Sequence, residues 1–124
     1  MNGYTELEFE RLIESVFVSE LRGDFTDLSV DERDDWNAES VYEGYEYAGR
    51  WHEIIDGLVP IYNVDIVETW LALGMPQAED YGDENTGEII KQMMVGIYYW
   101  ADEYARQNFE GWHENVVSAE LTKG

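Results

Sequence analysis

Twenty-eight of the 124 side chains are carboxylates and only seven are cationic, so any fold this chain adopts must hold a formal net charge of −21. Self-repulsion on that scale leaves acidic chains unfolded when they lack apolar surface to bury. This chain has such surface: five Trp, nine Tyr and four Phe are interleaved with the acids, and each buries a large area. The combination predicts one folded domain over residues 1–124 wearing an acidic coat, at a length that suits a single core.

The charge balance also excludes functions. Gripping nucleic acid by neutralising its phosphates needs a basic face, which seven cations among 28 acids do not supply, so no nucleic acid is expected as a ligand. An anionic membrane surface is disfavoured for the same reason, and no apolar run approaches the roughly 20 residues of a membrane span. The N-terminal MNGYTELEFERL lacks a basic region followed by an apolar stretch, so no signal peptide is read there and a cytoplasmic location is expected. Cysteine is absent, which removes disulfides, thiolate catalysis and thiolate metal sites.

Helical periodicity runs through most of the chain. Leu7, Phe9, Leu12, Ile13, Val16, Phe17 and Leu21 recur at three- and four-residue spacing between Thr5 and Leu21, one apolar stripe of a helix. Thr5 and Glu8 have capping-box spacing, and Gly23 stands where the helix would end. Asp24 to Glu39 reads as a charge-dense connector that Phe25, Leu28, Val30 and Trp36 can pin to the core, with a short helix opening at Ser29 and Glu32. A third such pair, Ser40 and Glu43, opens a helix running through Trp51 to Leu58. Pro60 breaks it, and a fresh helix follows to Leu73. Gln77 to Gly87 reads as a polar loop, Thr86 as a cap, and Gly87 to about Phe109 as a long helix that forms the core spine. Gly96 inside that helix implies close approach of another backbone. After about residue 111 the periodicity fits either a continued helix or a loose tail. The expected fold is all-α, with about four helices.

Catalytic chemistry finds little footing. His52 and His113, the two histidines, sit among acids and aromatics without a cysteine or serine elbow, and read as structural or solvent-facing. Carboxylates are too numerous for any one pair to stand out as acid and base. The stretch DYGDENTGE fails as a calcium loop: from Asp80, Gly82 falls at position 3 and Asn85 at 6, and from Asp83, Gly87 falls at position 5. The chain is therefore expected to be neither an enzyme nor a holder of a metal or cofactor.

The coat itself remains to be explained. Duplex DNA carries one charge per roughly 1.7 Å of axis, so 28 carboxylates match about 48 Å of duplex, some 14 base pairs. Carboxylates four apart on a helix lie about 6 Å apart, near the spacing of successive phosphates on one strand. A folded display of acids can thus imitate DNA. The alternatives are a halophilic surface, which needs salt to fold, and an acidic adaptor for a basic partner.

The run Leu58-Val59-Pro60-Ile61-Tyr62-Asn63-Val64-Asp65-Ile66-Val67, then Gly74, then Ile90 to Gly96-Ile97-Tyr98, resembles the Ocr-like family of small acidic phage antirestriction proteins. The order and spacing match from the first helix to about residue 110, while the C-terminal NVVSAELTKG is not an acidic tail and the Asp24 to Glu39 connector is long. The resemblance implies a phage-encoded mimic of bent DNA. Such a mimic acts in the host cytoplasm as a homodimer and occupies the DNA groove of type I restriction-modification or related defence enzymes. A nucleoid protein, a polymerase or a repair enzyme offers the same kind of groove. The family's self-association through its middle helix carries over to Val67, Trp70 and Leu71. The acids expected to face a partner are Glu6, Glu10, Glu14 and Glu20 on the first helix, Asp24, Asp27, Asp31, Glu32, Asp34, Asp35 and Glu39 on the connector, Glu43 and Glu46 beyond it, and Glu79, Asp80, Asp83 and Glu84 on the loop.

Overall fold

The computed structural model describes residues 3–75 and 86–123, and all regular structure among them is α-helical. In chain order the helices are α1 (Glu6–Asp27), α2 (Val30–Asp34), α3 (Ala38–Tyr47), α4 (Arg50–Leu58), α5 (Asn63–Ala72) and α6 (Thr86–Lys123). The all-α expectation holds. Helix α6 is the spine: its 38 residues extend about 57 Å at 1.5 Å each, and α1, α3, α4 and α5 all pack on it.

Helix α1 begins where its cap predicts, with the Thr5 hydroxyl accepting from the Glu8 N–H at 3.2 Å and the Glu8 carboxylate accepting from the Thr5 N–H. Its buried stripe is Phe9, Ile13, Phe17, Leu21 and Phe25, each one turn after the last, whereas Leu7 lies off the stripe at 54% exposure. The helix does not stop at Gly23. A mid-helix glycine costs about 1 kcal/mol, and burying the Phe25 side chain returns about 1.5–3 kcal/mol, so the helix carries on to Asp27.

The Ser29 and Glu32 capping box forms as expected and opens α2, which buries none of its residues. Helix α3 starts earlier than the Ser40 and Glu43 pair suggests. The Asn37 side-chain Oδ1 accepts from the Ser40 N–H at 2.9 Å, so Asn37 is the cap and Ser40 lies inside the first turn. The helix expected over 40–58 is divided at Gly49, whose φ of 73° belongs to the left-handed region. Apolar periodicity runs on across that turn and hides it.

Pro60 does break the chain: Val59 is extended after α4. The next helix begins at Asn63 rather than at Pro60, leaving Ile61 and Tyr62 on a solvent-exposed turn. Helix α5 closes on Gly74 at φ 80°, with the Met75 N–H donating to the Trp70 carbonyl and the Gly74 N–H to that of Leu71. At its other face Thr69 is fully buried and accepts from the Tyr4 N–H at 3.0 Å, tying the segment before α1 to α5.

Helix α6 passes through Gly111 and continues to Lys123, so the tail is not loose. Burial of Trp112 and Val116 extends the stripe of Ile97, Ala101, Ala105 and Phe109 and stabilises the added turns. Gly96 admits a side chain rather than a backbone. A Cβ there would lie 2.3 Å from the Trp70 ring, so only glycine lets that indole lie across α6. Of the expected loop Gln77 to Gly87, residues 77–85 lie outside the described residues, and 86 and 87 are helical. The side chain of Thr86, the expected cap, also lies outside them.

Candidate functional site: the acidic surface

The acids divide into two sets according to whether an arginine reaches them. Arg50, at the start of α4, forms ion pairs with Glu20 and, at 3.2 Å, with Asp24, both on α1. Its guanidinium also lies 4.5 Å from the Tyr45 ring centroid, and the Tyr45 hydroxyl donates to Asp24 at 2.5 Å. Burial opposes the Arg50 charge, yet the hydrogen bonds it donates to Glu20 and Asp24 outweigh that and raise its pKa. Burial, followed by the hydrogen bond to Asp24, pushes the Tyr45 phenol well up. This cluster holds α4 against α1.

Arg106 on α6 ties that helix to α3 through its ion pair with Glu46 and meets α4 through the Trp51 ring. It bonds Asp102 at 2.8 Å and Glu46 at 2.5 Å, and lies 5.2 Å from the Trp51 ring and 5.3 Å from that of Tyr42. The Trp51 indole N–H donates to Asp102 at 2.6 Å, and the Tyr42 hydroxyl donates to Glu46. A third pair, Arg22 with Glu120 at 3.3 Å, ties α1 to the end of α6. Glu20, Asp24 and Glu46, expected to face a partner, are thus held by the fold.

The second set forms the coat. Glu6, Glu14, Asp27, Asp31, Asp34, Asp35, Glu39 and Glu43 are exposed, with Glu10 half-buried between Glu6 and Glu14; among the described residues none of them has a cation within ion-pair distance. Glu6, Glu10 and Glu14 form one stripe along α1 at about 6 Å spacing. Burial, with the charges of Glu10 and Glu14 added, raises the pKa of Tyr104, so this stripe flanks α6. Glu32 is exposed but serves the cap, and hydrogen bonds from Ser29 hold its carboxyl below the usual range. Glu79, Asp80, Asp83 and Glu84 lie outside the described residues.

Sequence reading missed part of the coat. Glu103, Glu110 and Glu114 are exposed on α6, and their spacing of seven and then four places them on one helical face. That period was available in the sequence but was masked by the apolar stripe of the same helix. Glu53 and Asp56 add exposed acids on α4.

Of the three residues assigned to self-association, Trp70 belongs to the chain's own core: it is 8% exposed and lies over Gly96. Val67 is half-buried and Leu71 is exposed. His113 is buried with its ring 4.3 Å from that of Trp36, and its Nε2 has no hydrogen-bond partner. Burial lowers its pKa, against the opposing charges of Glu114 and Glu110. His52 is exposed and hydrogen-bonded to the Tyr98 hydroxyl. No helix among the described residues is long and apolar enough to cross a membrane. Compared with known protein families, curated proteins and solved structures, the chain matches none.

Proposed function

We propose that this protein is a non-enzymatic DNA mimic, of phage origin, that occupies the DNA groove of a host restriction or related defence complex. The observation that carries the reading is the separation of the acids. Arginines neutralise those at the helix seams, while the stripe of Glu6, Glu10 and Glu14 and the connector acids from Asp27 to Glu39 stand without a cation within ion-pair distance among the described residues, on a helical frame packed with aromatic rings. A frame of that kind holds negative charge at fixed spacing, as a duplex does, and releases counterions from both surfaces when it docks. Self-association through α5 belongs to the same proposal, with Leu71 and Val67 as its available side chains.

The test is capture from bacterial lysate at low salt, elution with rising salt, and challenge with duplex DNA. A DNA-binding complex that duplex displaces, and whose affinity falls as salt rises, supports mimicry. Capture that duplex does not affect, or affinity indifferent to salt, rejects it. Loss of the helical signal at about 0.15 M salt, where charges are screened beyond roughly 8 Å, would point to a halophilic surface instead.

A further inference from the structure

An apolar groove of about 450 Å³ runs between the turn after α4 and the middle of α6. Met94 and Tyr98 are half-buried in its floor. Its walls are Ile61, Val95 and Tyr99, which are 77%, 54% and 63% exposed. Side chains of this kind left in water are costly, and gathered together they mark an interaction surface rather than scattered exposure. None of them is used by the acidic stripe of α1 or by the connector.

The charges around the groove are asymmetric. Asp56 lines it directly, and it is exposed with no ion pair among the described residues. Glu103 follows Tyr99 by one turn of α6 and is exposed on the same face. At the other end Lys91 precedes Val95 by one turn. The occupant therefore meets apolar side chains with one carboxylate, Asp56, in the groove itself and a second, Glu103, one turn of α6 beyond it.

We propose that this groove is a docking site for a cationic amphipathic helix of a partner protein, which seats apolar side chains against Ile61, Val95 and Tyr99 and places lysine or arginine at Asp56 and Glu103. Charge complementarity selects this occupant over a second copy of the chain seated here, because Asp56 at the groove and Glu103 beside it call for cations, and this chain carries seven of those against 28 carboxylates. A groove between helices also suits a helix carrying apolar residues at three- and four-residue spacing. The site stands without the DNA-mimic reading, since its specificity lies in apolar contact that duplex DNA does not offer.

The test compares two labelled synthetic peptides on the full chain by fluorescence anisotropy at about 0.15 M salt. One is a helical leucine–lysine peptide, the other an oligolysine of equal charge. The expected result is tighter binding of the leucine–lysine peptide by on the order of tenfold or more, from burial of its leucines. Ile61→Ser combined with Val95→Ala should abolish that preference and leave oligolysine binding unchanged. Both residues are more than half exposed, and circular dichroism verifies that the variant keeps its helices. Asp56→Asn with Glu103→Gln should weaken both peptides and keep their ratio. Equal affinity for the two peptides, or a preference that survives the apolar variant, overturns the proposal. So does sedimentation showing that the protein alone is a dimer which the apolar variant dissociates.

Discussion

The seam where α4 meets α1 and α6 and the connector around α2 are both rich in acids, yet they handle charge in opposite ways. At the seam each carboxylate has a guanidinium, and each guanidinium lies on an aromatic ring: Arg50 over Tyr45, Arg106 beside Trp51 and Tyr42. On α2 no residue is buried, and Asp31, Asp34 and Asp35 face water. Residue type does not distinguish these acids. Their role is decided by whether the fold brings an arginine within reach, and an arginine between two helices also joins parts of the chain far apart in sequence.

The seam breaks most severely at Trp51. The ring is fully buried, packs on Phe17 at 4.8 Å and Phe109 at 5.5 Å between centroids, and donates to Asp102. Trp51→Ala should cost about 3–5 kcal/mol, read as a lower urea midpoint, and leaves Asp102 with Arg106 alone. Arg50→Leu is milder. Its side chain is 38% exposed, so water screens the charges left on Glu20 and Asp24, and the loss should be about 1 kcal/mol. By contrast, Asp31→Asn, Asp34→Asn and Asp35→Asn together should shift stability by less than about 0.5 kcal/mol, while reducing the salt dependence of partner binding. If the connector variant destabilised the fold as much as Arg50→Leu, the two-set division of acids would fail.

How much of this was legible follows from the range of each interaction. Capping boxes at Thr5 and Ser29 and the break at Pro60 are local, depend on residues three or fewer apart, and were readable. The end of α1 was not, because the burial of Phe25 that carries the helix past Gly23 depends on Trp36, eleven residues on. The Gly49 turn was hidden under an unbroken apolar period. Neither could the sequence separate Glu20 from Glu14: both lie on α1 amid like charges, and only the fold sets Arg50, thirty residues later, against one of them. The sequence implies a backbone against Gly96, whereas its neighbour is the Trp70 ring, set there by the packing of α5 on α6.

The place where the connector meets the core sharpens the comparison by pH. His113 on α6 packs against Trp36 with its ring tilted 37° and is buried with one ring nitrogen unpartnered, and burial lowers its pKa from 6.5 despite Glu110 and Glu114. The neutral ring is therefore favoured in the folded state, and the unfolded chain binds the proton more readily. Stability contributed by neutral His113 is complete above pH 6.5 and is lost as pH falls from there through the lowered value. His113→Leu should flatten thermal stability over that window. An unchanged slope would mean that His113 is not desolvated when the connector is docked.

The smallest expected effect lies on α2. Ser29 donates its backbone N–H to Glu32 at 2.9 Å, and its hydroxyl accepts from the Glu32 N–H at 3.2 Å; the backbone bond, then the side-chain bond, holds the Glu32 carboxyl below its ordinary value. With Glu32 exposed to water, the pair bears on the local order of one short helix rather than on the whole fold. Ser29→Ala removes the hydroxyl and keeps the backbone donor, so the Glu32 pKa should rise only part of the way back. Glu32→Gln should leave the Ser29 hydroxyl still capping the helix. Carbon-detected NMR titration of the Glu side chains reads the first change, and amide exchange across residues 30–34 reads the second. Faster exchange there with an unaltered urea midpoint is the outcome that sets this region apart from the seam, where each lost partner lowers global stability. A fall in the midpoint with either substitution would instead place α2 inside the same cooperative unit as the core.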